Sequence, residues 1–267
     1  MKIFITGASS GIGEALATEY AKRHNNSNTI IGLVARRSEH LQKLQTTLQD
    51  TYKVKCAIYP LDVRDSVALA TAGADFIQQH GAPNVVIACA GVSRGTLTEH
   101  QEDIAAFQAV MDINVMGLVH TFQPFIAAMK ENAKSGETAQ LVGIASVAGI
   151  RGLPGAGAYS ASKAAAISYL ESLRVEMAAQ NIAVTTIAPG YIRTPMTDVN
   201  QYKMPFLMDA DVAATKFVNA IEHKRRFVII PWQMGWLGRS MRFIPPLLWD
   251  WAMKKAPYKP RLDWDWL

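Results

Sequence analysis

Seven short apolar runs rich in β-branched residues punctuate the first 230 residues: Lys2–Thr6, Thr29–Ala35, Val54–Tyr59, Val85–Ala88, Gln140–Ile144, Val184–Ala188 and Phe227–Ile230. Between them apolar positions return at helical spacing, over Gly13–His24, Ser38–Asp50, Ser66–His80, Val115–Lys130, Tyr159–Ala179 and Asp209–His223. Thr98 and Gln101 stand at capping-box spacing and predict the start of a further helix. Runs this short and this uniformly apolar suit strands buried on both faces. Their alternation with helices predicts one α/β domain, a doubly wound parallel sheet over residues 1–230.

Residues 231–267 break the pattern and read as a C-terminal extension. All six tryptophans lie there, at 232, 236, 249, 251, 264 and 266, with Arg239, Arg242, Lys254, Lys255 and a Pro245-Pro246 break. Leu247-Leu248-Trp249 with Trp251-Ala252-Met253 suits a turn or two of amphipathic helix. The composition fits an arm packed on the domain or a partner, and it equally fits a membrane-interface anchor. A disordered end is the weakest reading at this aromatic density.

Apolar residues are 49% of the chain and charged residues 18%, ordinary for a globular protein with a full core. The net charge of +5 is mild, and no basic stripe interleaves with aromatics, which argues against nucleic-acid binding. The excess can still favour approach to an anionic cofactor or a membrane. Cys56 and Cys89 fall in runs that read as buried strands and form no disulfide framework, so a reducing, cytoplasmic setting is expected. Met1 leads at once into a strand and a glycine turn, which leaves no room for a signal peptide. No run reaches the roughly 18 uninterrupted apolar residues of a spanning helix.

The first strand runs into Thr6-Gly7-Ala8-Ser9-Ser10-Gly11-Ile12-Gly13 and then a helix. Glycines permit a tight turn and a close approach of backbone amides to a pyrophosphate, and a helix start offers unpaired donors. Farther along, Tyr159 and Lys163 are four apart on a helix, hence on one face. A free phenol has a pKa of about 10. An ammonium about 4 Å away would favour the phenolate by on the order of 4 kcal/mol at an effective dielectric near 20. That would bring the phenol towards working pH, where acid–base catalysis is most efficient.

The loop spacing, Ser146 thirteen positions before Tyr159, and the Tyr159-Ser160-Ala161-Ser162-Lys163 run together resemble the short-chain dehydrogenase/reductase family. The resemblance covers about Met1 to Ile230 and implies a Rossmann-like fold that moves a hydride between a nicotinamide cofactor and a carbonyl or alcohol. It implies that Gly7, Ser9, Ser10, Gly11, Ile12 and Gly13 carry the cofactor. Asp62-Val63 would hold the adenine, Ala90-Gly91 would allow close approach, and Pro189, Gly190, Ile192 and Thr194 would lie against the nicotinamide. It implies further that Ser146 holds the substrate oxygen and Tyr159 exchanges its proton. Lys163 lowers the tyrosine and binds ribose, while Asn114 supports a proton relay. Cys89 departs from the pattern, since an asparagine usually stands there to brace the sheet. Family members usually pair through the Val115 and Tyr159 helices, which implies a homodimer or homotetramer.

After the second strand the chain reads Val34-Ala35-Arg36-Arg37, with no carboxylate for a ribose diol. Two guanidinium groups suit a 2′-phosphate, so NADP(H) is expected over NAD(H). Pro195–Met208 is the expected substrate-covering loop, and its methionines with the small residues between Ser146 and Tyr159 suit an apolar ketone or aldehyde. Arg151 and Arg193 are the only cations near enough in sequence to consider for an anionic substrate. Two alternatives stay open: a non-catalytic NADP(H)-binding sensor or scaffold on the same fold, and a lipid-carbonyl reductase seated on a membrane surface.

Overall fold

A computed structural model describes residues 1–261, so Trp264 and Trp266 of the extension lie outside the described residues. The strands of the main sheet are β1 (Lys2–Thr6), β2 (Ile30–Ala35), β3 (Lys55–Pro60), β4 (Val85–Ala88), β5 (Gln140–Ile144), β6 (Ala183–Pro189) and β7 (Phe227–Ile230), beside a two-residue pair at Ile192–Arg193 and Met208–Asp209. They pair in parallel in the order β3-β2-β1-β4-β5-β6-β7. The order reverses between β1 and β4, so the carboxyl ends of those strands frame a crevice.

Strand alternation decides which helices cover which face. Ile3 and Ile5 point to one side, where α1 (Gly11–Arg23), α2 (Ser38–Tyr52) and α6 (Ala210–Glu222) bury Leu16, Tyr20, Leu41 and Phe217. Phe4 points to the other, where α3 (Ser66–His80), α4 (Asp103–Lys134) and α5 (Gly157–Ala178) bury Phe76, Phe122, Phe125 and Leu170. The Phe4 ring lies 5.5 Å from Phe76 and 4.6 Å from Phe125. Gly32 on β2 makes that possible, because a Cβ there would stand 2.6 Å from the Phe4 ring. Each such aromatic stabilises the fold by about 1.5–3 kcal/mol through burial.

α4 joins two expected helices into one, through a π-helical turn at Asp112–Met116 and a 3₁₀ turn at Gln123–Phe125. By length and composition alone it could cross a membrane, yet Phe122, Phe125 and Met129 are fully buried against the sheet. It begins at Asp103, not at a Thr98 cap. Residues 98–102 form turns, and the buried Asp103 carboxylate instead accepts the Leu97 amide at 2.8 Å.

The extension leaves β7 through α7 (Trp232–Phe243) and α8 (Pro246–Met253), separated by Pro245-Pro246. α7 seats Met234, Gly235 and Gly238 against the domain, with Ile229 and Ile150 as neighbours. The chain then returns as a strap. Gly95 donates its amide to the Pro260 carbonyl, Arg261 grips Asp103 at 2.8 Å and Glu102 at 2.9 Å, and Tyr258 lies on Gly155. A side chain on Gly95 would overlap the Lys259 carbonyl, so glycine is needed where the strap crosses.

Candidate active site

The loop between β1 and α1 closes on itself without room for side chains. Gly7 has φ +74°, and a Cβ there would stand 2.8 Å from the Ala90 backbone, while one on Gly13 would overlap the Gly7 carbonyl. The loop therefore rests on the end of β4. Ser10 precedes α1 in extended conformation and makes no side-chain cap, so the first-turn amides are left for an anion, aided by the helix dipole.

A cleft of about 690 Å³ opens over this loop at the carboxyl ends of the strands. Gly7, Ser9, Ser10, Ile12 and Gly13 line it on the loop side. Arg36, Arg37, Asp62 and Val63 line it beyond β2 and β3, and Ala90 and Gly91 beyond β4. Cys89, Ser146, Tyr159, Lys163, Pro189, Gly190, Ile192 and Thr194 also line it. Two expected site residues stand behind it. Gly11, with φ +57°, packs on Thr194, and Asn114 is buried.

At one end of the cleft the charges are predominantly positive. One Arg37 Nη donates to the Ser9 hydroxyl at 3.0 Å and the Ser10 hydroxyl at 2.9 Å. Asp62 is the local acid. Burial acts to raise it, but two contacts from Arg64, at 3.1 and 2.9 Å, and Arg36 at 3.8 Å hold it below the usual carboxylate range. Its charge is therefore compensated and repels an incoming phosphate little.

At the other end stand the reacting groups. Ser146 follows β5, and its hydroxyl accepts the Ala148 amide at 3.2 Å. α5 starts two residues before Tyr159, and its pitch brings Lys163 to 5.8 Å from the centre of the tyrosine ring. The Lys163 ammonium is buried and donates to the Ile144 carbonyl at 2.8 Å. Gly91 lies beside it and beside Asn114, whose Oδ1 would stand 3.2 Å from a Cβ there. Burial lowers the Lys163 pKa to about 8, against an upward pull from Cys89. Tyr159 is partly exposed on the cleft wall, but its phenol sits deep: burial raises its pKa, while a hydrogen bond with Ser146 draws it down.

Asn114 lies in the π turn. Its amide oxygen accepts from Val92 N at 2.8 Å, and its nitrogen donates to Val92 O and to Ser162 Oγ, both at 2.9 Å. It thus ties the segment after β4 to α5. Cys89 makes no such tie. Its amide donates to the Thr6 hydroxyl at 3.3 Å, and Thr121 donates to the same hydroxyl at 3.4 Å, so two buried threonines brace the sheet where an asparagine was expected. Burial pushes the Cys89 thiol up to about 12, despite Lys163 nearby.

A family model described as short chain dehydrogenase matches residues 1–204. The chain belongs to the short-chain dehydrogenase family. An uncharacterized oxidoreductase of Myxococcus xanthus is 33% identical to this dehydrogenase over 251 residues, covering 94% of this chain and 95% of its own. A short-chain dehydrogenase/reductase from Burkholderia phymatum, solved with NAD, superposes with TM-score 0.78 at 22% identity, covering 98% of each chain. One from Sphingobium yanoikuyae, solved with NADPH, gives 0.74 at 23%, covering 92% of this chain and 96% of that one. The fold is Rossmann-like, and the family is one of oxidoreductases that bind nicotinamide dinucleotides. The glycine cradle, the uncapped helix start and the length of the cleft fit such a group.

Other expectations give way. The Tyr159 phenol, expected to be lowered, is raised by burial. Arg151 and Arg193 do not face a substrate. Arg151 donates to the Met241 and Ile244 carbonyls and lies 4.4 Å from the Trp249 ring centre, and Arg193 pairs with Asp209 at 2.8 Å. The free cysteines are only partly buried, Cys56 in β3 and Cys89 just past β4. The sequence reading missed Val92, Ile113 and Ala145 as cleft residues, and Tyr202 as a neighbour of Tyr159. An aromatic within the expected covering loop was the available signal for Tyr202, which meets Tyr191 edge-on at 6.3 Å.

Proposed function

We propose that this dehydrogenase reduces an apolar ketone or aldehyde with NADPH, Tyr159 delivering the proton. One observation carries the reading: Ser146, Tyr159 and Lys163 converge on the wall of the same cleft into which the glycine loop opens. The nicotinamide, when bound, supplies the hydride. The Ser146 hydroxyl holds the carbonyl oxygen and orients it towards the phenol. A phenol kept above its ordinary pKa remains protonated at neutral pH, which is the state needed to donate. Lys163 supports the phenolate left behind, and Asn114 acts as a positioning residue by fixing α5 against the segment at Val92.

NADP(H) is favoured by Arg36 and Arg37 on the cleft wall and by the compensation of Asp62. Met196, Pro195 and the small residues Ala145, Ala90 and Gly91 make the wall near Tyr159 largely apolar. Exposed Ile104, Phe107 and Met116 on α4 and Val175 on α5 support pairing of copies through those helices. Two unpaired thiols suit a reducing compartment.

The test is NADPH oxidation against a panel of apolar ketones, aldehydes and long-chain 3-oxo compounds, with Tyr159→Phe beside the native chain. The variant should retain NADPH binding and lose turnover by about 10²–10⁴-fold. Tight NADPH binding with no turnover by either form would favour a sensor.

A further inference from the structure

The face of the C-terminal arm turned away from the domain has the chemistry of a membrane surface reader. On α7, Trp232, Trp236, Arg239 and Phe243 follow one another at spacings of four, three and four, a single stripe opposite the seated Met234 and Gly238. Trp232, Trp236 and Phe243 are 68%, 74% and 86% exposed. α8 has no buried residue at all, and Leu247, Leu248 and Trp251 are open to solvent. An eight-residue helix that gives water its two leucines and Trp251 lacks the burial that normally holds so short a helix together.

Charge identifies what covers it. Arg239, Arg242, Lys254 and Lys255 are exposed around the apolar residues, with Asp250 the one acid between Trp232 and Arg261. Aromatic and aliphatic side chains ringed by cations match the boundary of an anionic bilayer, where rings enter the headgroup layer and cations meet phosphates. A second copy of the same face would bring those cations together. Beneath the arm runs a groove of about 840 Å³ against residues 148–164, lined by Arg151, Arg242, Lys254 and Trp249, three cations against the single carboxylate of Asp250. It is separate from the cofactor cleft and offers a polar seat at the edge of the apolar face.

We propose that α7 and α8 form a docking face for an anionic lipid bilayer, with a lipid phosphate seated in the groove beneath them. The face lies on the substrate side, since Arg151 fixes the arm to the segment between Ser146 and Tyr159 and Lys259 of the strap reaches the Met196 carbonyl at 3.4 Å. The docking itself does not depend on the catalytic reading.

All six tryptophans lie in the extension, so selectively excited tryptophan fluorescence reports on it alone. The full chain is mixed with vesicles of phosphatidylcholine alone, or with a third of phosphatidylserine, and followed by co-sedimentation and emission wavelength. The anionic vesicles should bind at least tenfold more tightly and shift the emission to the blue. Trp236→Ser with Trp251→Ser, and separately Arg242→Ser with Lys254→Ser, should each weaken binding at least tenfold. Unchanged melting temperatures would show that these surface variants still fold. The absence of both sedimentation and a shift on anionic vesicles would overturn the proposal. So would binding that both variants retain, or a dimer in solution that the tryptophan variant converts to monomer.

Discussion

Replacing Lys163 by methionine should make the protein more stable at neutral pH while disabling it. The ammonium is buried, and its pKa falls from 10.5 to about 8. At 1.36 kcal/mol per pKa unit, holding that charge in the fold costs about 3 kcal/mol below pH 8. Methionine keeps much of the shape but loses a hydrogen bond to the Ile144 carbonyl, worth about 1 kcal/mol. The variant should therefore gain about 2 kcal/mol at pH 7, or roughly 4 °C in melting temperature for a chain of this length. The sign follows from proton binding. Between about pH 8 and 10.5 the unfolded lysine holds its proton and the folded one has lost it, so native stability from this group rises with pH across that window. The advantage of the variant should shrink to nearly nothing by about pH 9.5. Urea unfolding of both forms at pH 7, 8.5 and 9.5 without nucleotide measures this. A variant less stable at pH 7, or an offset that ignores pH, would refute the assignment of a strained, buried charge.

Arg37→Ala should raise KM for NADPH by about 10–100-fold and leave NADH within a few-fold, because only the 2′-phosphate loses its charge-assisted bonds; an equal loss with both cofactors would remove Arg37 from phosphate recognition. Gly13→Ala should abolish NADPH binding in a fluorescence titration, since its methyl group needs the space of the Gly7 carbonyl. Carbonyl reduction should be nearly flat from pH 6 to 7 and fall as Lys163 loses its proton near pH 8. Alcohol oxidation should climb with pH beyond 9 without levelling, because burial raises the phenol that must first lose its proton; a plateau near pH 7 would show a tyrosine lowered, not raised.

The strands were readable to within a residue or two because a parallel sheet covered on both faces demands continuous apolar runs, as in Val85–Ala88 and Gln140–Ile144. The glycine loop and the Tyr159–Lys163 pair were equally open to reading, since each is a local spacing with one geometric meaning. What escaped depends on contacts distant in sequence. Nothing near Asp112 announces that a π turn will fuse two helices. The pull of Arg261 and of Leu97 N on Asp103 moved the start of α4 past Thr98. Arg151 looked available to a substrate because the arm that occupies it begins 80 residues on. The direction of the Tyr159 shift was lost for the same reason: pair attraction was visible in the spacing, whereas depth in the fold was not.

A sulfhydryl on the wall of the cleft would ordinarily threaten the reaction. Thiolates add readily to aldehydes, and the adduct would withdraw the very carbon that must be reduced. At Cys89 the proton is held until about pH 12, so at neutral pH almost none of the nucleophilic form exists. Electrophiles can pass the sulfur without being captured, and peroxides find little to oxidise.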